Sequence, residues 1–275
     1  MLEGTAGATA DPPPDVCPEC RGRGWIVVPD GASAGRARPC SCRDRDAVKR
    51  LWVTAGIPPR YRHCRLSNFH TSSGSKREGE QLFKARALAQ RYVDEFAQPG
   101  GFRESGLLFQ GPPGAGKTHL AVAILIELIE RYRVRGRFAE FPSLLFQIQS
   151  TFDPGSPESQ RQILDPLAEA ELLVLDELGS QKTTPWVRDI LYLIINGRYT
   201  RRLPTLFTTN FRLEAADGAK ETRGRDMLAA VAQEVTATSL PPPLISRLYE
   251  MAQLVSLTDV EDFRREHKAH GVHLR

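Results

Sequence analysis

The chain has 275 residues, 41% of them hydrophobic and 25% charged, with a formal net charge of +4. That composition suits a soluble globular protein of one full-sized domain plus a smaller one, and excludes a disordered chain. Its longest apolar run, Leu120 to Ile126, is cut by Glu127 and falls short of the ~18 apolar residues a bilayer span requires, which excludes a membrane class.

In chain order, residues 1–15 are rich in Ala, Gly and Pro and are expected to form a disordered tail. Met1 to Pro14 has neither a basic start nor an apolar core, so no signal peptide is expected and a cytoplasmic, reducing setting is. Residues 16–48 read as a small, loop-rich, cysteine-bearing module. Residues 49–79 read as a linker, marked by the turn chemistry of Gly56-Ile-Pro-Pro-Arg60 and Thr71-Ser-Ser-Gly-Ser75. Residues 80–275 read as one domain of alternating helices and strands, with no internal repeat.

Within that domain the apolar pattern predicts a helix over Gly79–Phe96, a strand over Gly106–Gln110, a helix over Lys117–Arg133 and a strand over Arg137–Phe141. One or two helices follow between Pro142 and Ala170. Then come a strand at Leu172–Leu175, a helix over Thr184–Arg201, strands at Pro204–Thr209 and Gln253–Leu257, and a closing helix. Strands that are apolar throughout and alternate with helices imply an α/β architecture, a parallel sheet covered on both faces.

Cys17-x-x-Cys20 and Cys40-x-Cys42 are two close pairs separated by nineteen residues. Each pair can aim two thiolates at one ion, and together they can complete a tetrahedral S₄ zinc site, with Gly22 and Gly24 permitting the tight turns. A redox pair or unliganded thiols are the alternatives. Cys64 has no sequence partner and reads as a free, partly buried thiol. From Cys17 to Arg65 there are eleven Lys/Arg against four Asp/Glu, so the basic surplus sits in this module and its sequel. Such a cluster serves either an acidic or nucleic-acid partner or an ordinary solvated surface.

Gly111-Pro112-Pro113-Gly114-Ala115-Gly116-Lys117-Thr118 has the G-x-x-x-x-G-K-[ST] spacing, follows an apolar strand and opens a helix. Its glycines let backbone N–H groups turn inward as an anion nest at a helix N-terminus. Lys117 is then placed to reach the β- and γ-phosphates of ATP, and Thr118 to ligate Mg²⁺. Asp176 and Glu177 end the next apolar strand, where a carboxylate would lie beside that loop. Asp176 is the candidate for the Mg²⁺ shell and Glu177 for polarising the attacking water. Asn210, after Thr208-Thr209, ends a further strand and could contact that water or the γ-phosphate.

These motifs together resemble the AAA+ ATPases, and within them the replicative helicase loaders of the DnaC/DnaI type and the related IstB-type transposition helpers. The resemblance also rests on Ala55-Gly-Ile-Pro-Pro-Arg-Tyr61, Leu66-Ser-Asn-Phe69, His119 behind the phosphate loop, Ile195-Asn-Gly-Arg-Tyr199 and Ile245-Ser-Arg-Leu248. It implies a five-stranded AAA+ core, Walker A and B roles for Lys117, Thr118, Asp176 and Glu177, and a sensor role for Asn210. It further implies an arginine finger at Arg247 acting on a neighbouring subunit's ATP, a weaker nucleotide-sensing candidate at Arg264, and an N-terminal zinc-binding region. The partners implied are a hexameric replicative helicase, single-stranded DNA and further copies of the chain. The helix spanning Phe141–Phe152 lies where such ATPases touch single-stranded DNA, although core packing is the expectation for Phe146 and Phe152 themselves.

Overall fold

The computed structural model describes residues 17–30, 33–72, 75–153, 155, 157–180, 184–211 and 240–263. The expected disordered tail, Arg264 with most of the closing helix, and 212–239 lie outside the described residues. The chain divides into two compact units, 1–50 and 51–275. The expected divisions lie after 48 and 79, and helix α1, Cys42–Ala55, is continuous through the first of them. Much of the expected linker is ordered in the second unit, with Ala55, Ile57, Leu66 and Phe69 buried. No helix among the described residues is long and apolar enough to cross a membrane.

In the first unit, strands β1 (Trp25–Asp30) and β2 (Ser33–Pro39) form an antiparallel hairpin that the sequence pattern did not announce. Trp25 pairs with Pro39 at its open end. Cys40 N–H donates to the Gly24 carbonyl at 2.9 Å, which extends the pairing to the point where both cysteine pairs begin. Ile26 packs on the cysteines. The outward face carries Trp25 and Val27, with the Arg43 guanidinium 4.6 Å over the Trp25 ring.

In the second unit, helix α2 (Lys76–Glu95) precedes a parallel sheet of β3 (Gly106–Gln110), β4 (Gly136–Glu140), β5 (Leu172–Asp176), β6 (Thr205–Thr209) and β7 (Ala252–Ser256). Its order is β4-β5-β6-β3-β7, so the last two strands flank the strand that carries the phosphate loop. The helices are α3 (Lys117–Tyr132), α4 (Phe141–Ser150), α5 (Gln160–Glu169), α6 (Pro185–Thr200) and α7 (Pro242–Met251). Leu173, Leu175, Leu108 and Phe207 face the apolar cluster built by α4 to α7. Neighbouring strand residues such as Leu107 and Leu172 point the opposite way, and α3, apolar on nearly every side and buried from Leu120 to Ile129 apart from Glu127, lies against β3 to β6. This is the five-stranded parallel core that the resemblance implied.

Two details fix the local geometry. Thr184 caps α6 by accepting from Val187 N–H at 3.3 Å, and Ser159 with Gln162 forms a full capping box on α5. Arg198 is completely buried and has no carboxylate partner among the described residues. It donates to the carbonyls of Leu167, Ala170 and Pro204 and to Thr205 Oγ1, at 2.7–2.9 Å. Burial pulls its pKa down to about 9, so it stays charged at neutral pH while tying α5, α6 and the start of β6 together. The Asn-Gly-Arg-Tyr signature is thus a clamp within the fold.

The expected core packing of Phe146 and Phe152 is corrected. They are 71% and 59% exposed, because α4 buries Phe141, Leu144, Leu145 and Ile148 on its inner face and turns Phe146 outward. Phe152 meets only the edge of Trp186 among the described aromatic contacts, with ring centres 6.0 Å apart. Cys64 is 1% exposed, not partly buried, and burial pushes its thiol up to about 11.

Candidate functional site

β3 ends in Gln110 and the chain turns through Gly111–Gly116 into α3. Gly114 and Gly116 have φ of 81° and 84°, a left-handed conformation that a side chain would strain. A Cβ at Gly116 would stand 2.6 Å from the Phe69 ring. The loop therefore needs glycine both to curl and to let Phe69 close against it. Lys117 is 7% exposed, and its Nζ donates to the carbonyls of Gly111 (2.9 Å) and Pro112 (2.7 Å). An anion in the nest would offer the ammonium a stronger, charge-assisted acceptor.

The acids lie beside this loop. Asp176 is 1% exposed at the end of β5, and its Oδ1 accepts from Thr118 Oγ1 at 2.8 Å and from Thr208 Oγ1 at 2.6 Å. Burial raises its pKa, partly opposed by these two hydroxyls. A buried carboxylate next to a hydroxyl at the mouth of an anion nest has the hard oxygen donors Mg²⁺ takes, a few from protein and the rest from phosphate and water. Asp176 and Thr118 therefore fit a nucleotide-borne Mg²⁺.

Glu177 follows at φ 59°, a strained backbone for a non-glycine residue, and its N–H donates to Thr208 Oγ1 at 3.0 Å. One threonine hydroxyl thus positions both acids. Thr208 was quoted in the sequence reading only as part of the strand before Asn210, since a threonine in a strand ordinarily marks β-propensity. Asn210 lies at the exposed end of β6.

These groups open onto a cavity of about 510 Å³, whose lining includes Pro113 to His119, Glu177, Thr208 and Asn210. His119 is half-buried, contacts the Arg65 carbonyl at 3.0 Å through Nε2 and packs against Phe69; burial lowers its pKa. The rest of the wall comes from the expected linker and beyond, including Arg60, Tyr61, Asn68 and Glu78, none of which the sequence reading assigned to the site. Arg247 is not brought to this cavity. It sits on α7 with its guanidinium 4.9 Å over Tyr192 and 5.8 Å over Tyr199, and its buried Nη1 has no hydrogen-bond partner among the described residues.

In the first unit, Cys17, Cys20, Cys40 and Cys42 are buried with all four Sγ atoms within 4.8 Å of one another. The Cys17–Cys40 and Cys20–Cys42 sulfurs are 3.6 and 3.4 Å apart. A disulfide needs ~2.05 Å, whereas a tetrahedron with Zn–S of ~2.3 Å has edges of ~3.8 Å. Gly24 N–H donates to Cys20 Sγ at 3.2 Å, the kind of contact that steadies a metal-bound thiolate. The donor set fits zinc.

The family model of the IstB-like ATP binding protein matches residues 63–229, more than half of the chain, from the base of the cavity through both acids and Asn210. The chain belongs to the IstB-like ATP-binding family. Among its relatives, the replicative helicase loader DnaC of Escherichia coli (strain K12) is 31% identical over 177 residues, covering 62% of this chain and 66% of that protein. YqaM of Bacillus subtilis (strain 168) is 25% identical over 199 residues, covering 70% and 61%. The matches thus span less than two thirds of either relative. A crystal structure of the DnaC helicase loader is similar with a TM-score of 0.55 at 28% identity, covering 72% of this chain and 99% of that one.

Proposed function

We propose that this chain is an ATP-dependent helicase loader in DNA replication, which binds and hydrolyses ATP to deliver or remodel a hexameric replicative helicase on single-stranded DNA. The observation that carries the reading is the carboxylate of Asp176 held by Thr118 and Thr208 at the mouth of a phosphate loop, in a chain similar to a protein named as a replicative helicase loader.

In this reading Gly111 to Thr118 cradle the phosphates, with Pro112, Pro113, Ala115 and His119 shaping the loop, and Thr118 and Asp176 hold Mg²⁺, which neutralises charge on the phosphates. Glu177 accepts a proton from the attacking water, Asn210 orients that water, and Arg247 of one copy reaches the ATP of the next. Arg247 does not line its own chain's cavity, as a residue acting on a neighbour's ATP would not. Arg264 remains a candidate sensor outside the described residues. Zinc on Cys17, Cys20, Cys40 and Cys42 folds the 16–48 module, which docks on the helicase first and contacts DNA second. The exposed Phe146 and Phe152 are available to stack on bases. The setting is cytoplasmic.

Hydrolysis assays test the ATPase part. Wild-type chain assembled with helicase should release phosphate slowly; Lys117→Ala should not bind ATP, and Glu177→Gln should bind but not turn over. Hydrolysis by Glu177→Gln at the wild-type rate would remove Glu177 from its role. A chain that binds ATP yet never hydrolyses it would be a zinc-dependent adaptor using ATP only as a binding switch. The family's IstB-like description favours one further reading, a transposition helper; retention by a transposase in place of a helicase would support that instead.

A further inference from the structure

The cavity continues past the phosphate loop into a compartment walled by Phe69, His70, Leu82, Val260 and Phe263, with a glutamate in it. Glu78, in the first turn of α2, is 5% exposed and lines this compartment. One of its oxygens, Oε1, accepts from the Glu261 backbone N–H at 2.9 Å. No cation pairs with it in an ion pair among the described residues. A buried carboxylate in apolar surroundings is costly unless donors meet it, and it has room for about four.

The neighbouring walls are flat and apolar. Phe69 stands directly under Gly116, and the His70 and Phe263 rings lie 5.4 Å apart, tilted by 34°. A nucleotide with its phosphates in the nest shares one cavity with this wall, where stacking surface is open to its base and Glu78 offers an acceptor. Adenine carries a donor suited to that acceptor, its exocyclic amine.

Resting on the ATP-binding reading above, we infer that Glu78 is the base-specificity residue of this site and accepts a hydrogen bond from the exocyclic amine of adenine. The same carboxylate, through Glu261 N–H, also holds the segment after β7 against α2, so the acceptor and the base-facing wall are fixed together. Phosphate binding and base reading are thereby carried by different elements, the loop of β3–α3 and the start of α2.

The test compares the affinities of the full chain for ATP and for purine riboside triphosphate, which has hydrogen in place of the amine. Wild type should prefer ATP by about tenfold or more, in keeping with a hydrogen bond to a charged group. Glu78→Ala should weaken ATP and leave the analogue within about threefold of its wild-type affinity, and Glu78→Gln, which keeps an acceptor oxygen, should recover part of the preference. Equal weakening of both nucleotides in Glu78→Ala would reduce Glu78 to a structural role and overturn the inference. So would a wild type without preference, a measurement that needs no variant to fold. Wild type that binds neither nucleotide would instead overturn the ATP reading on which this rests.

Discussion

Thr208 donates to Asp176 Oδ1 at 2.6 Å, and its own oxygen accepts from the backbone N–H of the next acid, Glu177, at 3.0 Å. A single hydroxyl on β6 therefore holds the carboxylate that ends β5 and the backbone of the acid that follows it. The strand order makes this possible, since β6 is inserted between β5 and β3.

Asp176 should cost the nucleotide-free fold stability. Its pKa is raised, chiefly by burial, so the folded state disfavours the ionised form, and the cost appears as pH rises above the usual value of 3.8. Asp176→Asn keeps an oxygen for Thr118 and Thr208 and removes the charge. At pH 7 its melting temperature without nucleotide should exceed that of wild type, and the gap should close below pH 3.8. Mg²⁺-dependent hydrolysis should be lost. An unchanged or lower melting temperature at pH 7 would contradict the account of this carboxylate.

Arg198→Met should be severely destabilising. The variant removes the Arg198 donor from the buried carbonyls of Leu167 and Ala170, while that of Pro204 keeps the Leu173 N–H, and at ~1–3 kcal/mol for each unsatisfied group the loss should exceed ~2 kcal/mol. Chemical denaturation measures it; a loss under ~1 kcal/mol would mean the clamp is dispensable.

The four-cysteine cluster should hold one zinc ion per chain. Thiol titration of the native protein should find few reactive groups, and chelation should release four, from Cys17, Cys20, Cys40 and Cys42. Cys42→Ser should lower the bound zinc. Four reactive thiols in freshly isolated, metal-free and folded protein would contradict the assignment.

Arg247→Ala should leave ATP affinity near wild type and slow hydrolysis in the assembled state by ~10³ or more. Its stacking on Tyr192 and Tyr199 provides the competing role. A variant with normal turnover and a lowered melting temperature would mean that Arg247 only packs α7 on α6.

The phosphate loop, both acids and Asn210 were legible because their chemistry demands fixed residue types at fixed spacing after apolar strands. Strand β3 was read to the residue, and α3 to within one, since both are apolar and bounded by glycine or charge. The hairpin was not legible, because arginines at 36 and 38 interrupt the apolar alternation of β2. Helix α7 was hidden by Pro241-Pro-Pro243, which reads as a breaker although proline is tolerated in a first helical turn. Glu78 falls in the expected linker, just before the helix expected from Gly79. Only the return of the chain past β7 makes it a buried wall of the cavity. Phe146 was misplaced since hydrophobicity alone does not say which face of α4 turns inward, and Phe152 since α4 ends at Ser150, before it.

The most direct measurement of the central claim is retention of a hexameric replicative helicase by the full-length chain, followed by transfer of that helicase to single-stranded DNA, with and without ATP. The loader account predicts a complex that survives purification, helicase delivered to DNA in an ATP-dependent manner, and loss of that nucleotide dependence in Lys117→Ala. A chain that retains no helicase with ATP, with ADP or without nucleotide would contradict it.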